Sequence, residues 1–79
     1  MQTKTLLRDY QNISKEVWDL FLSRVDTTTD AEWIKYLRET DDLTKKYKDS
    51  PAYGYAERYA YLMFNEVGEI VRRKNRDMP

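Results

Sequence analysis

Apolar residues recur along this 79-residue chain at intervals of three and four, the spacing of one face of an α-helix. Val17, Trp18, Leu20, Phe21 and Val25 form the first clear series, within "NISKEVWDLFLSRVD". Ser14 is placed to cap its N-terminus, and Ile13 and Trp18 then have the spacing of a hydrophobic staple. Upstream, Leu6, Leu7, Tyr10 and Ile13 share the same phase. Residues 3–12 therefore read either as a short helix of their own or as the start of the first one. A break or kink over residues 12–14 is the expectation.

"TTTDAEW" marks the clearest boundary. Three consecutive threonines suit a helix interior poorly. Thr29 and Glu32 have the spacing of a capping box, and Asp30 adds negative charge at the helix start. Trp33, Ile34, Tyr36, Leu37, Leu43 and Tyr47 carry the second series. Its middle, "RETDDLTKKYK", reads as a solvated face. Asp41 with Lys45 and Asp42 with Lys46 are acid-before-base pairs, each worth about 0.2–0.5 kcal/mol. Aspartate and threonine are mediocre helix formers, so distortion near residues 40–42 is anticipated. "KDSPAY" closes this helix and opens the next, with Ser50 as N-cap and Pro51 at the first helical position. The third series runs through "AYGYAERYAYLMFNEVGEIVRRKNR". The pattern predicts one all-α domain over residues 1–79. It is a small bundle of three main helices at about 14–26, 29–48 and 51–75, with 3–12 as a candidate fourth.

On a helical wheel, Ala52, Ala56, Tyr59, Ala60, Met63, Val67 and Ile70 share one side of the third helix. Tyr53, Phe64 and Val71 flank that stripe on one edge, and Tyr55 and Leu62 on the other. The arc spans roughly 200°, wider than the slightly more than 100° that one buried face needs. Two neighbouring helices, each covering part of it, are the structural explanation. Ala52, Ala56 and Ala60 offer a smooth strip for close approach. Tyr61 falls near the opposite pole, and its phase gives it no role within the chain.

Composition narrows the chemistry. Fourteen basic and fourteen acidic residues leave a net charge of zero, and no third of the chain is strongly polarised. A dedicated nucleic-acid binder usually carries a basic excess. With no histidine and no cysteine, the commonest general base, metal ligand and thiolate nucleophile are all missing. No phosphate-binding glycine loop or calcium loop appears, and Gly54 and Gly68 are isolated within helical pattern. No enzyme activity, metal or cofactor is expected. The longest apolar run, "YAYLMF", is too short to span a bilayer, and the N-terminus lacks the plan of a signal peptide. A cytoplasmic protein is the expectation.

A non-catalytic protein-interaction module then leads, acting by stoichiometric binding on another protein or on its own copy. Its candidate contacts are the edge residues Tyr55 and Leu62, with Tyr61, Arg58 and Arg72. A self-associating dimer through the same arc is one alternative. The other is a nucleic-acid accessory protein using Arg72, Arg73, Lys74 and Arg76. Those four are also what a helix C-terminus ordinarily carries. Residues 45–74, "KKYKDSPAYGYAERYAYLMFNEVGEIVRRK", resemble the C-terminal half of small uncharacterised proteins of Gram-positive bacteria and their mobile elements. In these a "YKDS" turn precedes an alanine-rich amphipathic helix with a basic end. The resemblance implies a small accessory protein of phage or conjugative origin and assigns no functional residue.

Overall fold

The computed structural model describes the backbone of residues 3–77 and the side chains as far as Lys74. Three α-helices account for nearly all of it: α1 (Thr3–Arg24), α2 (Asp30–Lys46) and α3 (Tyr53–Asp77). No strand occurs among the described residues. The helices run up, down and up, so α1 and α3 are parallel. Asp9 meets Ser50 at the start of that pair, Ser14 meets Tyr55 further along, and Asp26 meets Lys74 near its end. Both α1 and α2 pack chiefly on α3 and much less on each other.

The expected break at residues 12–14 is absent, and no separate fourth helix forms. Ser14 is not a cap. It lies in mid-helix, and its Oγ donates to the Tyr10 carbonyl one turn back at 2.8 Å. The reason is tertiary. Ile13 is fully buried and Val17 and Phe21 follow it into the core, so one continuous apolar face outweighs the weak local preference of Asn12 and Ser14 for a helix end. Trp18, expected to staple a helix start, is instead 47% exposed and tilts against Phe21 in its own helix.

The α2 boundary matches its sequence signals. Thr29 caps the helix by accepting from the Glu32 amide at 3.2 Å. The return bond of the box is displaced by one residue: the Glu32 carboxylate accepts from the Thr28 amide at 3.3 Å. No distortion occurs at residues 40–42, where Thr40 is fully buried and Thr44 nearly so. Their hydroxyls are silenced locally, Thr40 donating to the Tyr36 carbonyl at 2.9 Å and Thr44 to the Asp41 carbonyl at 2.8 Å. A satisfied hydroxyl can enter a core at little cost. The middle of α2 is therefore one of its buried faces and not wholly a solvated one. Neither proposed pair along α2 forms: Lys46 reaches across to Glu16 of α1, and Asp41 accepts from Tyr61.

Ser50 acts at the start of α3 as expected. Its Oγ accepts from the Ala52 amide at 3.1 Å and donates to Asp9 of α1 at 2.6 Å. Regular helix begins two residues later than expected, at Tyr53. Ala52, Ala56, Ala60, Met63 and Val67 are buried on the predicted stripe, with Tyr59 and Ile70 half-buried beside them. The alanines leave room for two neighbours. α2 covers one edge through Trp33 and Tyr36, which pack on Phe64 of α3, with the Tyr36 and Phe64 rings 4.9 Å apart. α1 covers the other, where Tyr10 lies 4.7 Å from Tyr55.

Two substitutions test this packing. Leucine at Ala56 would force extra volume into a filled seam, so Ala56→Leu should cost about 1–3 kcal/mol. Gly68 is different: a Cβ there would meet only the Trp33 ring at an ordinary 4.0 Å. Gly68→Ala should therefore raise stability by about 0.5–1 kcal/mol through helix propensity. Thermal melts of both variants decide the matter; a lowered melting point for Gly68→Ala would contradict the open contact described.

Candidate protein-interaction surfaces

The five residues singled out from the sequence do not form one site. Tyr55 lies on the α1 side of α3, where its hydroxyl and that of Ser14 share a hydrogen bond at 2.6 Å and its ring stacks on Tyr59. Leu62 lies two turns further along the same edge and is 53% exposed. Tyr61 faces the other way. Its hydroxyl donates to Asp41 of α2, so the reading that gave it no role within the chain is corrected. A long side chain at a helix edge can bridge to a neighbour that its wheel position alone does not reveal. Arg58 is exposed and folds back along α3 toward Gly54. Arg72, four turns on, is exposed and paired with Glu69 at 3.0 Å.

The basic end of α3 is partly engaged inside the chain. Lys74 donates to Asp26 at 2.8 Å and to the Val25 carbonyl at 3.3 Å, tying the end of α3 to the end of α1. Arg73 is exposed, and the Arg76 side chain lies outside the described residues.

Two surface features remain. The first is an open groove of about 470 Å³ between α1 and α2, lined by Glu16, Asp19, Leu20, Glu39, Asp42 and Leu43, with Lys46 at its edge. Cross-links close both ends. Arg24 binds Glu39 at one end, while Lys46 and the Tyr47 hydroxyl bind Glu16 at the other, the tyrosine at 2.5 Å. Burial pushes Glu16 upward, but the bonds from Lys46 and Tyr47 and the Lys46 charge outweigh it and hold the carboxyl below its usual value. Two of the four acids thus serve as seams between helices. No cluster that could hold a metal ion occurs among the described residues.

The second feature is apolar. Leu7, Trp18 and Leu22 lie along one strip of α1 and are 61%, 47% and 51% exposed. Tyr10 borders that strip toward Tyr55 of α3. Because Ser14 stands opposite Tyr55, Leu62 stands opposite the level of Phe21, seven residues further along both helices. Leu62 is therefore abreast of Trp18 and Leu22. Together they make an apolar face along the α1–α3 seam, on the side away from the α1–α2 cross-links. At about 200 Å² each, the half-exposed Trp18, Leu22 and Leu62 leave about 300 Å² of apolar surface in water. Ile34 and Leu37 form a smaller exposed pair on α2.

Trp18 and Leu22 were missed as surface residues. The signal was present: the apolar residues of α1 cover an arc as wide as that of α3, yet α1 has only α3 and a thin α2 seam to cover it.

No family model, curated protein or solved structure matches this chain. No helix among the described residues is long and apolar enough to cross a membrane.

The phenols set a pH dependence. Tyr61 is raised from an ordinary 10.0 to about 12, first by its bond to Asp41 and then by burial. Tyr47 is raised to about 12 by burial and by Glu16. Burial also lifts Tyr36 to about 12, with the Arg24 charge pulling the other way. A raised phenol favours the fold while neutral. This stabilisation is fully present below pH 10.0 and is lost as pH rises through about 12. Glu16 acts in the opposite sense, full above its ordinary 4.5 and lost as pH falls below it. Melting temperature should therefore fall on both flanks. Tyr61→Phe should cost about 1 kcal/mol at neutral pH and flatten the alkaline limb. An unchanged alkaline limb in that variant would remove the Tyr61–Asp41 bond from this account.

Proposed function

We propose that this chain is a small non-catalytic protein-interaction module that acts by stoichiometric binding through its α1–α3 face. The observation that carries this reading is the set of Trp18, Leu22 and Leu62, large apolar side chains each about half exposed at one level of the bundle. Contiguous apolar surface of about 300–600 Å² is the largest that a monomer commonly shows, and it often marks a contact site. Tryptophan and tyrosine are the residues that interface hot spots favour. Tyr55 supports the face from beneath through Ser14 and Tyr10, and Leu62 belongs to it directly. Arg58 lies at its rim. The internal bonds of Arg72 and Lys74 favour this reading over nucleic-acid binding. A chain without cysteine suits a reducing cytoplasm. There it would serve as adaptor, regulator or inhibitor, in keeping with the accessory role in a phage or mobile element that the resemblance of residues 45–74 implies.

Site-specific photo-crosslinking in the source cell tests the face. Benzoylphenylalanine at position 22 should give a discrete protein adduct, and the same group at position 35, on an exposed part of α2, should give none. Equal labelling from both positions, or none from position 22, would refute the α1–α3 face as the docking surface.

A further inference from the structure

We infer that the occupant of the α1–α3 face is a second copy of this chain, in a two-fold dimer with antiparallel α3 helices crossing at Leu62. This deepens the proposed function and rests on the same face. Size is the first argument. Interfaces are roughly 60% apolar, so the roughly 300 Å² that Trp18, Leu22 and Leu62 leave exposed implies about 500 Å² per partner, the size of a weak, dissociable interface.

Charge is the second argument, and it separates a second copy from an unrelated partner. Arg58 and Glu66 stand four residues before and four residues after Leu62, and both are exposed. Neither takes part in any of the ion pairs found among the described residues. A two-fold axis through Leu62 and perpendicular to the helices sets Arg58 of each copy against Glu66 of the other. The face therefore carries its own complement, as an isologous interface requires. The same axis crosses α1 near the level of Phe21 and brings Trp18 within about two residues' rise, about 3 Å, of Leu22 of the second copy. Polar rim pairs then surround an apolar centre, the usual anatomy of such a contact.

Light scattering on a dilution series of the purified chain, with three variants, tests this. The wild type should show twice the 9.6 kDa chain mass and dissociate on dilution. Leu62→Asp changes a half-exposed residue, so it should keep the helical fold by circular dichroism and run as a monomer. Arg58→Glu should weaken the dimer at least tenfold, and Arg58→Glu with Glu66→Arg should restore it, since the swap re-forms both pairs. A monomeric wild type at about 1 mM chain, a concentration at which even millimolar affinity would show, overturns the proposal. So does a dimer indifferent to Leu62→Asp or to the charge swap. The docking face itself is judged separately: a monomer whose position-22 adduct contains a protein of another mass refutes the dimer and leaves the face standing.

Discussion

The close approach of α3 to two neighbours at once governs everything else in this bundle. Alanines at 52, 56 and 60, fully or almost fully buried, remove side-chain bulk from the first half of that helix. Larger residues at those places would hold α1 and α2 away, and the edge aromatics could no longer reach across. Tyr10 with Tyr55 on one side, and Tyr36 with Phe64 on the other, are the contacts this spacing permits. Further along, the larger Met63 and Val67 are the buried residues of the stripe.

A domain of this size has little core to spend, and α2 shows how it manages. Its buried face contains two threonines beside a single large aromatic, Tyr36. Each hydroxyl turns back to a carbonyl of its own helix. The hydroxyls so satisfied, the threonine methyl groups are left to fill buried space. The stability ranges of small domains, about 5–15 kcal/mol, leave such details with real weight. The α1–α2 seam is built differently, from ion pairs and a tyrosine–glutamate bond between partly exposed groups. Such pairs align helices more than they stabilise them.

The α3 stripe was legible because its period is clean and its polar side is polar. The boundaries at Thr29 and Ser50 were legible because capping chemistry is local. What misled was local chemistry outvoted from a distance. Asn12 and Ser14 look like a helix start, but Ile13 between them is required in the core. Thr40 looks like a weak point, but its carbonyl partner one turn back makes it an acceptable core residue. Tyr61 and Lys46 belong to bonds between helices, and periodicity within one helix carries no information on those. The exposed strip of α1 was legible in principle. Its arc is too wide for the single extensive neighbour that it has.

The pairing of parallel α1 and α3 has a consequence for how the chain reaches this state. α2 and α3 are successive and antiparallel, joined by a short turn, so their aromatic cluster closes a small loop. The α1 contacts on α3 close larger ones: Ser14 must find Tyr55 across 41 positions, and Asp26 must find Lys74 across 48, whereas the thin α1–α2 seam is local, Arg24 meeting Glu39 across 15. Loop-closure entropy thus leaves the docking of α1 on α3 to last, after the contacts between successive helices. The element that arrives last contributes most of the exposed apolar strip. A chain emerging N-terminus first would present that strip to its surroundings before the helix that half covers it has been made.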